Sequence, residues 1–317
     1  MSNSIAQPPV IFLMGPTASG KTAAACWLVD RFACEIVSVD SALVYRGLDI
    51  GTAKPSPAVL MKYPHQLIDL YEPTVSYSAG EFRADAMLAI AEIQQRGNIP
   101  LLVGGTGLYF QVLESGIADL PGPDAAVRES LDKERAATSL GAMHARLAAV
   151  DPRSAARIHP NDPQRILRAL EIVTLCGTTM SELLEASHRP EHGFSSCKFV
   201  LAPADRHWLH DRIACRFRAM LAAGFINEVA ALRSNPDLSL ANPALRAVGY
   251  RAIWRYLSGE CTYDEMVSHG IVATRQLAKR QFTWFRRQVD AQWVDSMASD
   301  SHEQLAVALK PHLQYNG

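Results

Sequence analysis

Short apolar runs, bounded by glycine, proline and polar residues, recur along the chain and predict the strands of a sheet. They lie at Val10–Met14, Glu35–Asp40, Ile99–Val103 and Cys197–Leu201, with a last short strand at Gln292–Asp295. Runs of this kind without strict alternation are typical of strands that are covered on both faces. The pattern therefore predicts a parallel sheet with helices on either side.

Segments with helical periodicity lie between these strands and after them. The helix at Ser78–Arg96 is the best defined, because Ser78 and Glu81 form a capping box and Gly97 ends it. Further helices are predicted at Thr22–Val29, His207–Gly224, Ala252–Leu257, Tyr263–Arg287 and Ser301–Leu313. Strands that alternate with helices predict an α/β fold with a doubly wound parallel sheet. Ligands of such sheets bind beyond the carboxyl ends of the strands.

The pattern changes after Leu120–Pro123, where only helical segments follow until about Glu185. We interpret residues 118–195 as an all-helical insertion between the third and fourth predicted strands. The predicted domains are residues 1–117 for the first part of the core, 118–195 for the insertion, and 196–317 for the second part of the core.

A phosphate-binding loop follows the first predicted strand and begins the first predicted helix. The segment fits the P-loop pattern G-x-x-x-x-G-K-[ST] in its usual strand–loop–helix context. Backbone N–H groups of such a loop bind phosphate oxygens, its lysine adds a positive charge, and its hydroxyl can ligate Mg²⁺. The loop alone does not distinguish a nucleoside triphosphate from a diphosphate ester. Its residues are Gly15, Pro16, Thr17, Ala18, Ser19, Gly20, Lys21 and Thr22.

Two further groups could act on a ligand of this loop. Asp40 ends a strand that we expect to neighbour the P-loop strand, as a general base or equally as a structural or helix-capping carboxylate. Arg212 and Arg216 are four residues apart on one predicted helix and could clamp a diphosphate, or could form a solvated flank.

A basic and aromatic stretch, Arg275–Arg287, lies near the C-terminus and contains no acidic residue. Cations interleaved with aromatic rings suit a nucleic-acid backbone and unstacked bases. We favour that interpretation for the cations, while one or two of the aromatic rings are expected to belong to a buried helix face.

Composition narrows the possible functions. The 317 residues are 48% hydrophobic and 20% charged, which allows a sizeable core, and the net charge of −1 confines any nucleic-acid surface to a local patch. Six cysteines without a CxxC pair or Cys/His cluster argue against zinc and disulfide frameworks. Without a cationic leader or a membrane-spanning apolar segment, we expect a cytoplasmic protein, and we expect a monomer.

Seven motifs together resemble the bacterial tRNA dimethylallyltransferases. They occur in that family's order, and the series is far more specific than the P-loop alone. Since the chain has no Cys/His-rich tail, it resembles the bacterial form rather than the eukaryotic relatives with a zinc finger. The motifs are Gly15–Thr22, Ser38–Ser41, Asp49–Pro55, Gly104–Thr106 followed by Leu108–Tyr109, Asn161–Arg165, Ala247–Tyr250 and Thr274–Gln281.

The resemblance implies transfer of a dimethylallyl group from dimethylallyl diphosphate to N6 of the adenosine 3′ to the anticodon, in tRNAs that read codons beginning with U. Gly15–Thr22 would hold the diphosphate with Arg216, and Thr22 would lie near Mg²⁺. Asp40 would be the base, and Thr106 would orient the acceptor. The anticodon stem-loop would contact Asp40, Ser41, Ala42, Leu43, Thr106, Arg128, Gln164, Arg165, Ile166, Leu167, Arg168, Leu245, Arg246, Ala247, Val248, Gly249, Tyr250, Lys279, Arg280, Gln281, Phe282, Thr283, Trp284, Phe285 and Arg286.

Three other functions share part of these features. A small-molecule kinase would use the same loop for ATP but leave the basic stretch unexplained. A nucleotide switch or RNA-binding module would leave Asp40 without a role. A prenyltransferase acting on free adenosine phosphates is the closest alternative.

Overall fold

A computed structural model describes residues 8–118, 120–186 and 193–313 of the chain. It contains two compact units, which we call the core unit (Met1–Glu114 and Gly193–Gly317) and the helical unit (Ser115–His192). The predicted insertion, 118–195, covers nearly the same segment, and its residues 119 and 187–192 lie outside the described part. No helix in the described ranges is long and apolar enough to cross a bilayer.

The strands of the core unit form one parallel sheet with the spatial order β3-β2-β4-β1-β5-β6. The predicted α/β class and parallel sheet are confirmed. The prediction that the strand before Asp40 neighbours the strand before the P-loop is wrong. These strands are β2 and β1, and β4 lies between them. The strands are β1 (Val10–Met14), β2 (Cys34–Val39), β3 (His65–Gln66), β4 (Ile99–Gly104), β5 (Ser196–Ala202) and β6 (Gln292–Asp295).

Fourteen α-helices lie within the described ranges, and α5 to α9 belong to the helical unit. They are α1 (Lys21–Val29), α2 (Pro57–Lys62), α3 (Ala79–Gln95), α4 (Gly107–Ser115), α5 (Ala125–Ala137), α6 (Leu140–Val150), α7 (Pro152–Arg157), α8 (Pro163–Cys176), α9 (Met180–Ala186), α10 (Arg206–Ala222), α11 (Phe225–Arg233), α12 (Tyr250–Leu257), α13 (Tyr263–Phe285) and α14 (Ser301–Leu313). A short 3-10 turn covers Pro243–Arg246. The capping box predicted from Ser78 and Glu81 is present at the start of α3.

The sheet is covered on both faces, as its unbroken apolar runs predict. All five residues of β1 are buried, and alternate residues enter different hydrophobic clusters. Phe12 packs in the larger cluster with residues of α3, α4 and α10 to α13. Leu13 packs in the smaller one with residues of α1 and α14. Because successive side chains of a strand point to opposite faces, β1 anchors both layers.

The helical unit has a hydrophobic core of its own, centred on Leu147 and Ile166. Two buried carboxylates organise its helices. Asp151 caps α7 through the backbone N–H of Ser154 at 3.0 Å, and it accepts the N–H and hydroxyl of Ser181 at 3.0 and 2.7 Å. Glu171 accepts the backbone N–H of Asp124, the N-cap residue of α5, at 2.9 Å. Both carboxylates are therefore used to join helices within the unit.

Candidate active site

Three strands end at one level of the sheet and deliver the predicted site residues to one edge. Met14 at the end of β1 and Val39 at the end of β2 are both register partners of Gly104 in β4. The residues that follow these strands are therefore side by side, namely Gly15, Asp40 and Gly105. Thus Asp40 reaches the same edge as the P-loop although their strands are not neighbours.

The P-loop has the backbone conformation expected of an anion-binding turn. A Cβ at Gly15 would collide with the carbonyl oxygen of Leu201, so the loop starts tight against β5. Ala18 and Gly20 have positive φ angles of 64° and 94°. Because Gly20 caps α1 without a side-chain hydrogen bond, the first N–H groups of the helix are left for another acceptor. An anion is the partner that such a helix start favours.

Lys21 and Arg216 form a positively charged pair at this edge. Lys21 Nζ donates to the carbonyl of Pro16 at 2.7 Å. Burial and then the charge of Arg216 lower the pKa of Lys21 to about 7, and only Asp40 opposes the shift. Burial also lowers the pKa of Arg216, again with Asp40 opposing it. Neither cation forms an ion pair within the described residues, so the pair offers its charge to a ligand.

Asp40 and Thr106 are held by the turns that follow β2 and β4. Asp40 Oδ1 accepts the backbone N–H of Ala42 at 2.8 Å, and the Thr106 hydroxyl accepts that of Ser41 at 3.2 Å. Burial above all, and then nearby groups that include Asp40, raises the pKa of Tyr109 above its ordinary value. The second carboxylate oxygen of Asp40 has no hydrogen bond in the described ranges. It is therefore available to a substrate proton.

Arg212 differs from Arg216, although both lie on α10. Its side chain is exposed, and its guanidinium lies over the ring of Trp208, 4.6 Å from the centroid. Of these two arginines, only Arg216 is a charged neighbour that affects the pKa of Lys21. Of the two possible clamp residues, the structure brings Arg216 to the P-loop and gives Arg212 a stacking contact.

The Leu245–Tyr250 stretch is mostly buried, which limits its predicted contact with RNA. Leu245 and Tyr250 are fully buried, and the Tyr250 hydroxyl donates to Glu228 at 2.6 Å. The same carboxylate accepts three backbone N–H groups at 2.6 to 3.1 Å, those of Asp49, Ile50 and Gly51. These contacts stabilise the Asp49–Pro55 turn. Arg246 is the exposed side chain of the stretch.

Near its C-terminal end, helix α13 presents Lys279 and Arg280 to solvent and Phe282 and Phe285 to the core. Phe282 and Phe285 are buried, which agrees with the expectation that one or two of the aromatic rings belong to a buried helix face, and their contact with tRNA stays a prediction. Trp284 is half-buried, and a Cβ at Gly107 would collide with its ring. The polar side chains that remain exposed on this part of the helix are Lys279, Arg280, Thr283 and Arg286. Within the described ranges, none of these three cations has an ion-pair partner.

The predicted RNA-contact residues of the helical unit are mostly engaged within that unit. Arg128 donates to the buried Glu171 at 2.9 Å, and Arg168 donates to its other oxygen at 2.7 Å. Arg165 pairs with Asp162 at 3.0 Å. Ile166 is buried, Leu167 is partly buried, and Gln164 is exposed. Arg128 and Arg168 thus have a structural role, whatever else they contact.

Comparison with known proteins identifies the family. A model described as "IPP transferase" matches residues 43–288. The chain is 33% identical to the full-length tRNA isopentenylpyrophosphate transferase of Bacillus halodurans (TM-score 0.70; 96% of this chain and 98% of that one). It is 30% identical to the tRNA Δ(2)-isopentenylpyrophosphate transferase of Staphylococcus epidermidis (TM-score 0.68; 96% and 100%). The chain belongs to the IPP transferase family.

A eukaryotic dimethylallyltransferase acting on tRNA is also similar, at 25% identity with a TM-score of 0.80. The match covers 96% of this chain and 79% of that protein. The resemblance stated from the seven motifs is confirmed, and this IPP transferase is an enzyme that transfers prenyl groups.

A divalent metal could join this transferase as a partner of a diphosphate held by the P-loop. No cluster of three or more His, Cys, Asp or Glu side chains that could hold a metal occurs in the described ranges. Thr22 places an exposed hydroxyl in the first turn of α1. Mg²⁺ commonly takes one or two protein oxygens and completes its shell with phosphate oxygens and water. The donor set at the P-loop therefore suits Mg²⁺ once a diphosphate is present.

The sequence did not indicate that two residues, Glu228 and Gln281, hold the loops of the site in place. Glu228 was not singled out, and Gln281 was predicted only as an RNA contact. In the transferase Gln281 faces the P-loop, where its amide accepts the N–H of Thr17. Neither pairing has a local sequence signal, because the partners are 177 to 264 residues apart.

Proposed function

We propose that this transferase moves a dimethylallyl group from dimethylallyl diphosphate to N6 of the adenosine immediately 3′ to the anticodon, in tRNAs that read codons beginning with U. The family and the tRNA-acting relatives support the reaction class and the RNA substrate. The position of the adenosine and the codon preference follow from the resemblance of the seven motifs. The residue roles rest on the charges at the sheet edge.

The observation that carries the proposal is one carboxylate, Asp40, beside two cations without ion-pair partners, Lys21 and Arg216. In the reaction the bond between C1 of the dimethylallyl group and the diphosphate oxygen breaks, and a bond from C1 to N6 forms. The diphosphate leaves with the bonding electrons, and its charge is stabilised by P-loop N–H groups, Lys21 and Arg216. Asp40 accepts the N6 proton.

Thr106 has the position for an acceptor-orienting group. Its hydroxyl accepts the N–H of Ser41 and keeps its own proton free to donate toward an adenine nitrogen. A target base must leave its stack to reach an edge of this kind. Mg²⁺, when bound with the diphosphate beside Thr22, would neutralise charge on the leaving group.

We assign the main RNA-binding surface of the core unit to the exposed cations of α13. Lys279, Arg280 and Arg286 lie free of acidic partners, as phosphate-binding residues require. In the helical unit, Gln164 and Arg165 are the exposed candidates. Because Asp40, Lys21, Thr106 and Arg216 all come from one chain, the site requires no second copy, and we propose a monomeric enzyme.

A four-substrate competition tests the proposal. The protein is incubated with ¹⁴C-labelled dimethylallyl diphosphate, γ-³²P-ATP, an anticodon stem-loop and AMP. We expect ¹⁴C in the stem-loop and ³²P in neither acceptor. A matched stem-loop with inosine in place of the target adenosine lacks the N6 amine, and we expect it to remain unlabelled. Labelling of AMP alone, ³²P transfer, or equal labelling of the inosine control would contradict the proposal.

A further inference from the structure

The side-chain amide of Gln281 joins two loops that would contact different substrates in the proposed reaction. Its Oε1 accepts the backbone N–H of Thr17 in the P-loop at 2.8 Å. Its Nε2 donates to the backbone carbonyl of Gly105, which precedes Thr106, at 3.0 Å. A single planar amide therefore sets the spacing between the donor loop and the acceptor turn.

The fit around this amide is tight. A Cβ at Gly105 would collide with Gln281 Nε2, and a Cβ at Gly107 would collide with the ring of Trp284. Gln281 and Trp284 are three residues apart, so they lie on the same face of α13. That face is consequently seated on the Gly105–Gly107 turn, with the ring of Phe110 beneath Trp284 at 6.2 Å between centroids.

The chemistry of the two hydrogen bonds selects glutamine. Thr17 supplies a donor and Gly105 an acceptor, and an amide offers one group of each kind. A glutamate would keep an acceptor for Thr17 but could not donate to Gly105, and it would add negative charge beside a phosphate-binding loop. A methionine has a similar length and makes neither hydrogen bond. These two substitutions therefore remove one or both contacts without removing the volume of the side chain.

Several neighbours of Gln281 on α13 face solvent, whereas Gln281 itself faces the P-loop. Lys279, Arg280 and Thr283 are exposed, whereas Gln281 is partly buried and engaged with backbone groups. Helix α13 therefore has an outer cationic face and an inner face that contacts the P-loop. The sequence pattern, which groups Gln281 with the RNA-contact residues, does not separate these faces.

We propose that Gln281 is a positioning residue, which holds the P-loop and the Thr106 turn in the alignment that transfer requires, and is not an RNA contact. The inference rests on the proposed function, in which the P-loop holds the diphosphate and Thr106 orients the acceptor. A misplacement of reacting groups by about 1 Å can reduce a rate by about 10²-fold. Loss of the amide should accordingly reduce the transfer step while the RNA affinity stays unchanged.

The test compares Gln281→Met and Gln281→Glu with Arg280→Gln, the matched change on the outer face. We expect the Met variant to lower single-turnover transfer at saturating substrates by about 10- to 100-fold, with the Kd for tRNA within about twofold of wild type. The Glu variant should additionally raise the KM for dimethylallyl diphosphate. Arg280→Gln should instead raise the Kd for tRNA. A Gln281→Met enzyme with weakened tRNA binding and a normal transfer rate would overturn the proposal.

Amide hydrogen exchange separates this inference from the proposed function. In the wild-type protein without substrates, we expect the Thr17 N–H to exchange slowly, and in Gln281→Met to exchange faster, while thermal melts confirm that both are folded. This readout does not depend on prenyl transfer, so it remains valid if the RNA substrate is wrong. Equal protection of Thr17 in a folded Met variant would overturn the inference, even with transfer to tRNA demonstrated.

Discussion

The cations of the helical unit differ from those at the sheet edge and on α13 of the core unit, although other core-unit cations, such as Lys54 and Lys198, are also paired. In the helical unit, Arg128 and Arg168 converge on one buried carboxylate, Glu171. Other arginines of that unit pair with Asp162, Glu134 and Glu185. At the sheet edge and on α13 of the core unit, the described Lys21, Arg216, Lys279, Arg280 and Arg286 have no ion-pair partner.

This difference indicates which cations serve the fold and which are kept for a ligand. Burial of two cations beside a single carboxylate, Asp40, is costly, and burial is the largest cause of the lowered pKa of both Lys21 and Arg216. A diphosphate would supply the missing charge. A cation that already holds a carboxylate has less to gain from a phosphate. The comparison therefore ranks the cations at the sheet edge and on α13 above those of the helical unit as ligand contacts.

Among the cations, the largest effect is expected from Arg216→Met. Removing one preorganised donor to a developing negative charge commonly costs about 10²–10³-fold in kcat. Arg212→Met is the matched control, since Arg212 lies four residues earlier on α10 but stacks on Trp208, and we expect a loss of only a few-fold. Steady-state transfer to tRNA measures both. A comparable loss in the two variants would remove the distinction between them.

The next effect concerns RNA affinity. Replacing Lys279, Arg280 and Arg286 by Gln should reduce the slope of log K against log salt by about 2–3, because each phosphate contact contributes roughly 0.7–0.9. The same measurement on Arg128→Gln with Arg168→Gln should change the slope less. Fluorescence titrations between low and moderate salt give both values. A larger change from the helical-unit pair would reverse the comparison.

A third prediction uses the titration of Lys21. Because its pKa is lowered to about 7 in the free enzyme, Lys21 loses its proton as the pH rises through 7. Bound diphosphate favours the charged lysine, so binding above pH 7 takes up a proton. Above pH 7, the Kd for inorganic diphosphate should therefore rise by up to about tenfold per pH unit. Calorimetry in two buffers from pH 6 to 9 measures this, and Lys21→Met should lack that component.

The smallest effect on catalysis is expected from Glu171→Gln. Burial raises the pKa of Glu171, but the hydrogen bonds from Arg168, Asp124 and Arg128 outweigh burial, so the net pKa is lowered. Its contribution to stability is therefore present above the unfolded-state pKa and is lost as the pH falls. We expect destabilisation of about 1–3 kcal/mol at pH 7, a smaller difference at pH 4, and unchanged kcat. Denaturant melts and transfer assays decide this.

The sequence predicted best what is local. The β1–P-loop–α1 unit, the α3 capping box and the short β6 follow from neighbouring residues, and the structure has each of them. The two-residue β3 is too short to show a sequence pattern. The order of the strands depends on long-range pairing, so the prediction placed Asp40 at the correct edge of the sheet but next to the wrong strand.

The roles of buried residues were the least predictable. Phe282 and Phe285 belong to a basic, aromatic segment whose periodicity fits both a core face and an RNA surface. In the structure both rings are buried in the core. Gln281 and Glu228 acquire partners only through folding, because each bonds a backbone group distant in sequence. Side-chain chemistry indicates what these residues can bond, but only the tertiary structure supplies the partner.

The general-base role of Asp40 is the central claim, and single-turnover transfer by Asp40→Asn tests it most directly. The variant keeps the side-chain shape and an oxygen for the Ala42 N–H, but it cannot take the N6 proton. At saturating tRNA and dimethylallyl diphosphate, with a Mg²⁺ titration and a thermal melt alongside, we predict normal folding, normal binding and a rate about 10²–10⁴-fold lower at every Mg²⁺ concentration. A folded variant that binds both substrates and transfers at nearly the wild-type rate would contradict the account.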